Sequence, residues 1–162
     1  MSEDSIVTEG NRSVTAQTYA PYYLSQINNR LSWGASHLYL TLFGIGLNEW
    51  RILSALRNEP GIQAQRIGEM VFMNKSVVSR SSHKLAGLGF VITRLKAGRR
   101  LLWLTPKGAE MHDAMIEIAL QRETTLLDGF SPQEIDTLFD YLQRMTGNLE
   151  KVDKLDRSLI KT

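Results

Sequence analysis

The stretch Asn74 to Gly89 reads NKSVVSRSSHKLAGLG, and it holds Lys75, Ser76, Val77, Ser79, Arg80, His83 and Lys84 without a single acid. A second basic group, Lys96, Arg99 and Arg100, follows within the run TRLKAGRRLLW. These residue types at this spacing suit contact with a polyanion. Small serines let a helix backbone come close and can donate to phosphate or to base edges. An arginine such as Arg80 can pair bidentately with guanine, and Val77 can meet a thymine methyl. Each Ser can equally be a solvent-facing helix residue and Arg80 half of a surface ion pair, although the local sequence gives Arg80 no acidic partner.

The net charge of +2 hides the distribution that matters. From Met70 to Ala109 there is no Asp or Glu, and the same 40 residues carry eight Lys or Arg: Lys75, Arg80, Lys84, Arg94, Lys96, Arg99, Arg100 and Lys107. The remainder carries 11 basic and 17 acidic residues. A short charge run is usually a solvated face. A long acid-free island in an otherwise acidic chain points instead to a polyanion-binding surface.

These residues need elements to hold them. Residues 1–17 read as a flexible arm. A long helix follows, with Pro21 in its first turn, Leu24, Ile27, Leu31, Leu38 and Leu42 at helical spacings, and glycines at Phe43–Gly46 to end it. LNEWRILSAL predicts a second helix with Asn48 as N-cap and Trp50, Leu53 and Leu56 as its apolar stripe. IQAQRIGEMV predicts a third, with Ile62, Ile67, Met70 and Val71 inward. After a tight turn at FMN, Asn74 caps a fourth helix from Lys75 to about Leu88, with Val78, Leu85 and Leu88 inward. The period then shortens. VITRL and RLLWLT read as a hairpin over Val91–Thr105 with Ala97-Gly98 at its tip. Thr105 and Pro106 open a further helix, to about Asp128, and SPQE at Ser131–Glu134 has the form of a capping box opening a final one. There Ile135, Leu142 and Leu149, and Leu138, Met145, Val152 and Leu159, form two columns at heptad spacing, a seam for this chain's own core or for a second subunit.

The fold class that results is mainly α with a small β-hairpin wing: a winged helix-turn-helix with long N- and C-terminal helices. A helix fits the major groove of DNA while a hairpin tip follows the backbone. Other chemistries find little support. The chain has no Cys, which excludes a thiolate metal site, a disulfide framework and a thiol redox switch. His37, His83 and His112 share no strong metal-ligand spacing. No phosphate-cradling glycine loop or nucleophile–base pair is visible, so no enzyme, metal or cofactor is expected. The polar N-terminus lacks the apolar segment of a signal peptide and no apolar run reaches membrane-spanning length, which makes the cytoplasm the expected location.

At this point LNEWRILSAL, NKSVVSRSSHKLAGLGFV, the basic hairpin and LTPKG together resemble the MarR family of bacterial transcription regulators, over roughly Tyr19 to Leu159. The resemblance implies a homodimer with intertwined terminal helices, residues 18–46 and 106–162, carrying two winged lobes, residues 47–105, on pseudo-palindromic double-stranded DNA. It places Lys75, Ser76, Val77, Ser79 and Arg80 on the recognition helix and Arg99 and Arg100 on the wing. It implies a repressor released by a small, commonly aromatic or anionic, effector. One departure is plain: the family wing usually carries Asp before its Arg, whereas LKAGRRLLW has no Asp and about two residues fewer. For the effector, Trp33, His37, Trp50 and Arg51 offer an aromatic wall with cationic partners suited to an aromatic carboxylate. Both tryptophans can equally be core or dimer-interface residues. The competing function is a winged-helix protein-interaction module whose basic face meets an acidic partner.

Overall fold

The computed structural model describes residues 18–160, so the arm expected at residues 1–17 lies outside the described residues. In order the chain forms α1 (Ala20–Phe43), α2 (Leu47–Asn58), α3 (Ala64–Val71), α4 (Lys75–Gly87), β1 (Val91–Lys96), β2 (Arg99–Leu104), α5 (Pro106–Leu126), α6 (Pro132–Gly147) and α7 (Leu149–Ile160). By packing it divides into two compact units, Met1–Met115 and Ile116–Thr162. No helix among the described residues is long and apolar enough to cross a membrane.

The core of the first unit is built from α2, α4 and the hairpin: Ile52, Leu53, Leu56, Ile67, Val78 and Leu85 are fully buried, with Phe90, Val91 and Leu102 beside them. Trp50, Leu53 and Leu56 form the expected stripe of α2. Its N-cap is Gly46 rather than Asn48; Asn48 lies inside the first turn, and Glu49 accepts the Gly46 N–H through Oε2 at 2.9 Å. On α1 the buried residues are Ala35 and Tyr39, whereas Leu24, Ile27 and Leu42 are exposed. Only Ile67 of the inward set expected on α3 is fully buried. Ile62 precedes that helix and pairs with Leu102 in an antiparallel bridge, adding a third short segment to the wing sheet. Leu88, expected inward, is exposed because α4 ends at Gly87 and Leu88 no longer follows its period.

Short-range signals fix the remaining joints. Asn74 caps α4 by accepting the Val77 N–H at 3.0 Å. Thr105 caps α5, accepting the Gly108 N–H at 3.0 Å and donating to the Gly89 carbonyl at 2.7 Å. Gly108 lies against the Phe90 carbonyl, so that any Cβ there would collide with it.

In the second unit, Ser131 and Glu134 form the capping box that opens α6: Glu134 Oε2 accepts the Ser131 N–H at 2.8 Å, and Ser131 Oγ accepts the Glu134 N–H at 3.3 Å. The single final helix expected from the heptad columns is interrupted at Asn148, where three weak helix formers, Thr146, Gly147 and Asn148, follow one another. No residue of α6 or α7 is buried within the chain, and Met145, Leu149, Val152, Leu155 and Leu159 are exposed.

The Ser131 N–H holds the Glu134 carboxyl below its ordinary value of 4.5, with the Ser131 hydroxyl adding to the effect. A depressed acid stabilises the fold above its unfolded pKa and loses that contribution as pH falls through the folded one. Gln stands in for the protonated acid. The melting temperature of Glu134→Gln should therefore lie below wild type at neutral pH, and the gap should close as pH drops below 4.5. A gap independent of pH in thermal melts would contradict this.

Candidate nucleic-acid interface

α4 splits by face as its sequence requires. Val78, Ser81, Ser82 and Leu85 are buried, while Lys75, Ser76, Ser79, Arg80, His83 and Lys84 are exposed and Val77 is half-buried. The buried serines are part of the fit, since they let the helix lie close on its neighbours. Among the described residues Lys75 and Arg80 make no ion pair, nor do Arg94, Lys96, Arg99 and Arg100 of the hairpin. Their charge is uncompensated on one continuous acid-free segment.

Individual groups are more constrained than the sequence suggests. The Ser76 hydroxyl donates to Asn74 Oδ1 at 2.8 Å, so it strengthens the cap and keeps only its accepting capacity for a ligand. His83 Nδ1 donates to the Ser79 carbonyl at 2.8 Å, which leaves Nε2 as the acceptor of the neutral ring. Lys107 donates to the Leu88 carbonyl at 3.0 Å and lies 4.9 Å from the Phe90 ring centre, so this member of the basic island caps the end of α4. The Lys84 ammonium lies 3.9 Å from the carboxylate of Glu49.

The hairpin register pairs Lys96 with Arg99, Leu95 with Arg100 and Arg94 with Leu101. Residues directly opposite share a face and alternate residues along a strand share it too. Arg94, Lys96 and Arg99 therefore lie on one face and Arg100 on the other, with Leu95. Arg94 was countable in the basic island, but only the register places it on the same face as Lys96 and Arg99. The tip turn has positive φ at both Ala97, 49°, and Gly98, 75°. Such a turn matches strand twist, yet Ala in a left-handed conformation costs about 1 kcal/mol. Two cations directly opposite one another destabilise the pair as well. The hairpin tip thus concentrates positive charge at some cost to its own folding.

The four residues grouped for an effector do not form one wall. Arg30, Trp33, Gly34 and His37 line a shallow depression on α1, where Trp33 is 83% exposed. Trp50 is buried instead, its ring 5.9 Å from that of Tyr39 and stacked 5.1 Å from that of His112. Arg51, beside it on α2, is half-buried. His112 is held in turn by Asp113, its Nδ1 3.0 Å from Oδ1. That hydrogen bond keeps the Asp113 carboxyl below its ordinary range, with nearby Arg57 adding to it. Among the described residues no cluster of three or more His, Asp or Glu could hold a metal.

Sequence reasoning missed Glu49. It lies outside the basic island, and its partner Ser81 is 32 residues away, at 2.7 Å from Oε1 to Oγ.

The order helix, short helix, turn, helix, hairpin defines a winged helix-turn-helix protein. No protein-family model and no curated protein matches the sequence. Solved structures do. The chain is similar to a MarR/EmrR family transcriptional regulator from Acinetobacter sp. ADP1, with 27% identity and a TM-score of 0.79 over 85% of this chain and 99% of that one. It is similar to PcaV of Streptomyces coelicolor, solved with its natural ligand, at 21% identity and a TM-score of 0.70 over 84% and 97% of the two chains. It is also similar to MepR of S. aureus, solved in complex with DNA, at 20% identity and a TM-score of 0.73 over 83% and 99%. The chain thus has the winged-helix fold of MarR family transcriptional regulators.

Proposed function

We propose that this chain is a cytoplasmic, sequence-specific regulator of transcription that binds double-stranded DNA as a homodimer. The observation that carries the reading is the uncompensated exposed charge of Lys75 and Arg80 on α4 next to that of Arg94, Lys96, Arg99 and Arg100 on the hairpin. α4 enters the major groove with Lys75, Ser76, Val77, Ser79, Arg80 and His83 toward base edges and phosphates; the wing follows the adjacent backbone. MepR, of like fold, was solved with DNA, which supports DNA binding by a protein of this fold.

The apolar faces of α6 and α7, left uncovered within one chain, support dimerisation through the terminal helices, residues 18–46 and 106–162. Two α4 helices then read successive major grooves about 10 base pairs apart, so the operator is a pseudo-palindrome. A dimer seated on a promoter blocks polymerase, which makes repression the simplest output. The α1 depression with Trp33, His37 and Arg30 suits a small aromatic anion, and the ligand-bound PcaV supports a ligand-responsive protein of this fold. Such a ligand acts only by binding one lobe spacing better than another.

Selection from a random duplex pool tests the reading. It should enrich an inverted repeat with half-site centres about 10 base pairs apart; a pool without an enriched motif would sink it. On the enriched duplex, Arg99→Ala should weaken binding to selected and random DNA alike and flatten the salt dependence by about 0.9 for each phosphate no longer neutralised. A loss confined to the selected duplex would move Arg99 from backbone to base contact.

A further inference from the structure

We propose that Glu49 is the positioning residue for the recognition helix: it fixes the seating of α4 on α2 and withholds Lys84 from the nucleic acid. This rests on the DNA-binding reading above. The Glu49 side chain is 12% exposed. Its Oε1 accepts the Ser81 hydroxyl of α4 at 2.7 Å, and its Oε2 accepts the Gly46 N–H at 2.9 Å. Lys84 Nζ lies 3.9 Å from the same Oε2. One carboxylate thus joins three pieces of chain: the turn that follows α1, the first turn of α2, and the buried side of α4.

A buried carboxylate is an expensive way to fill a core. Apolar residues of similar volume usually stabilise as well or better, and an ionised group persists there only with donors aimed at it. What it supplies here is direction. A hydrogen bond holds an angle that apolar packing does not. Ser81 and Lys84 are three apart and share a side of the helix. Arg80 immediately precedes Ser81 and projects from the exposed side, so fixing Ser81 fixes the rotation at which Arg80 is presented. The neighbouring Ser82 hydroxyl is buried and has no partner among the described residues, so it offers no substitute anchor. Lys84, paired with Glu49, holds its charge beside the protein rather than toward phosphate. The device trades general affinity for selectivity.

The test measures binding of the full-length protein to two probes across a salt series: a duplex selected by the wild type and a shuffled duplex of equal composition. In Glu49→Gln both hydrogen bonds survive, because the amide oxygen accepts from Gly46 and the amide nitrogen donates to a rotated Ser81 hydroxyl. Selectivity should stay within about twofold. The freed Lys84 should steepen the log–log salt slope by about 0.9 per subunit. Adding Lys84→Met to Glu49→Gln should restore the original slope, whereas Lys84→Met alone should leave it unchanged. Glu49→Ala and the milder Ser81→Ala should each lower selectivity at least about tenfold, the order of one lost charge-assisted hydrogen bond, without weakening binding to the shuffled duplex. The proposal is overturned if folded Ser81→Ala retains wild-type selectivity, or if Lys84→Met alone flattens the slope. Equal binding of both probes by the wild type would instead remove the DNA reading itself.

Discussion

Replacing Arg80 by Ala is expected to cost about 1–3 kcal/mol on the selected operator and to relax discrimination at one base position in each half-site. Arg80 is exposed on α4, has no ion pair among the described residues, and is followed at once by Ser81, which Glu49 ties down. An arginine presented that way can form the planar, two-bond pair with the N7 and O6 of guanine. Lysine should not replace it, since a point charge keeps the attraction to phosphate but loses the bidentate pair. Competition binding against duplexes substituted one base at a time gives the check. If Arg80→Ala loses equally on every sequence, Arg80 is a phosphate contact and another residue of α4 reads the base.

The second large effect concerns stability. Gly108→Ala is expected to destabilise the protein by about 2 kcal/mol net. Alanine gains about 1 kcal/mol over glycine inside a helix, while overpacking a tight site costs about 3. The steric cost dominates because the Cβ would meet backbone, the Phe90 carbonyl, rather than a side chain able to swing away. That carbonyl also accepts the Thr105 N–H at 3.0 Å where the hairpin closes, so the base of the wing would have to move. Gly87→Ala is the control: a Cβ there meets nothing within 4 Å, and stability should hold or rise slightly. The midpoints of denaturant unfolding compare the two, and equal midpoints for Gly108→Ala and wild type would refute the steric argument.

What the sequence made legible was local. Asn74, Thr105 with Pro106, and the Ser131–Glu134 box each act over a few residues, and each was found where its own spacing put it. The hairpin and its tip followed from the change of period and from Ala97-Gly98. The basic face of α4 was legible because an acid-free run is a property of the chain itself. Long-range pairings were not. Nothing near Glu49 announces Ser81, and nothing near Ile62 announces Leu102; both pairings exist only once the chain has folded. Trp33 and Trp50 looked alike as candidates for a pocket. One stands in solvent and the other lies between Tyr39 and His112, a difference set by tertiary packing that periodicity does not encode. The leucines of α1 and the heptad columns of α6 and α7 were visible as apolar spacings, but a spacing does not say which surface covers it.

We propose that the acid-free face of α4 and the wing read a sequence rather than merely attract a polyanion. The most direct measurement is the affinity of the wild-type protein for its selected inverted repeat relative to a shuffled duplex, at salt near 0.15 M. A preference of about a thousandfold or more is expected, with both affinities falling steeply as salt rises. Equal affinities for the two duplexes, both lost on raising salt, would contradict it and leave a basic surface for some other acidic partner.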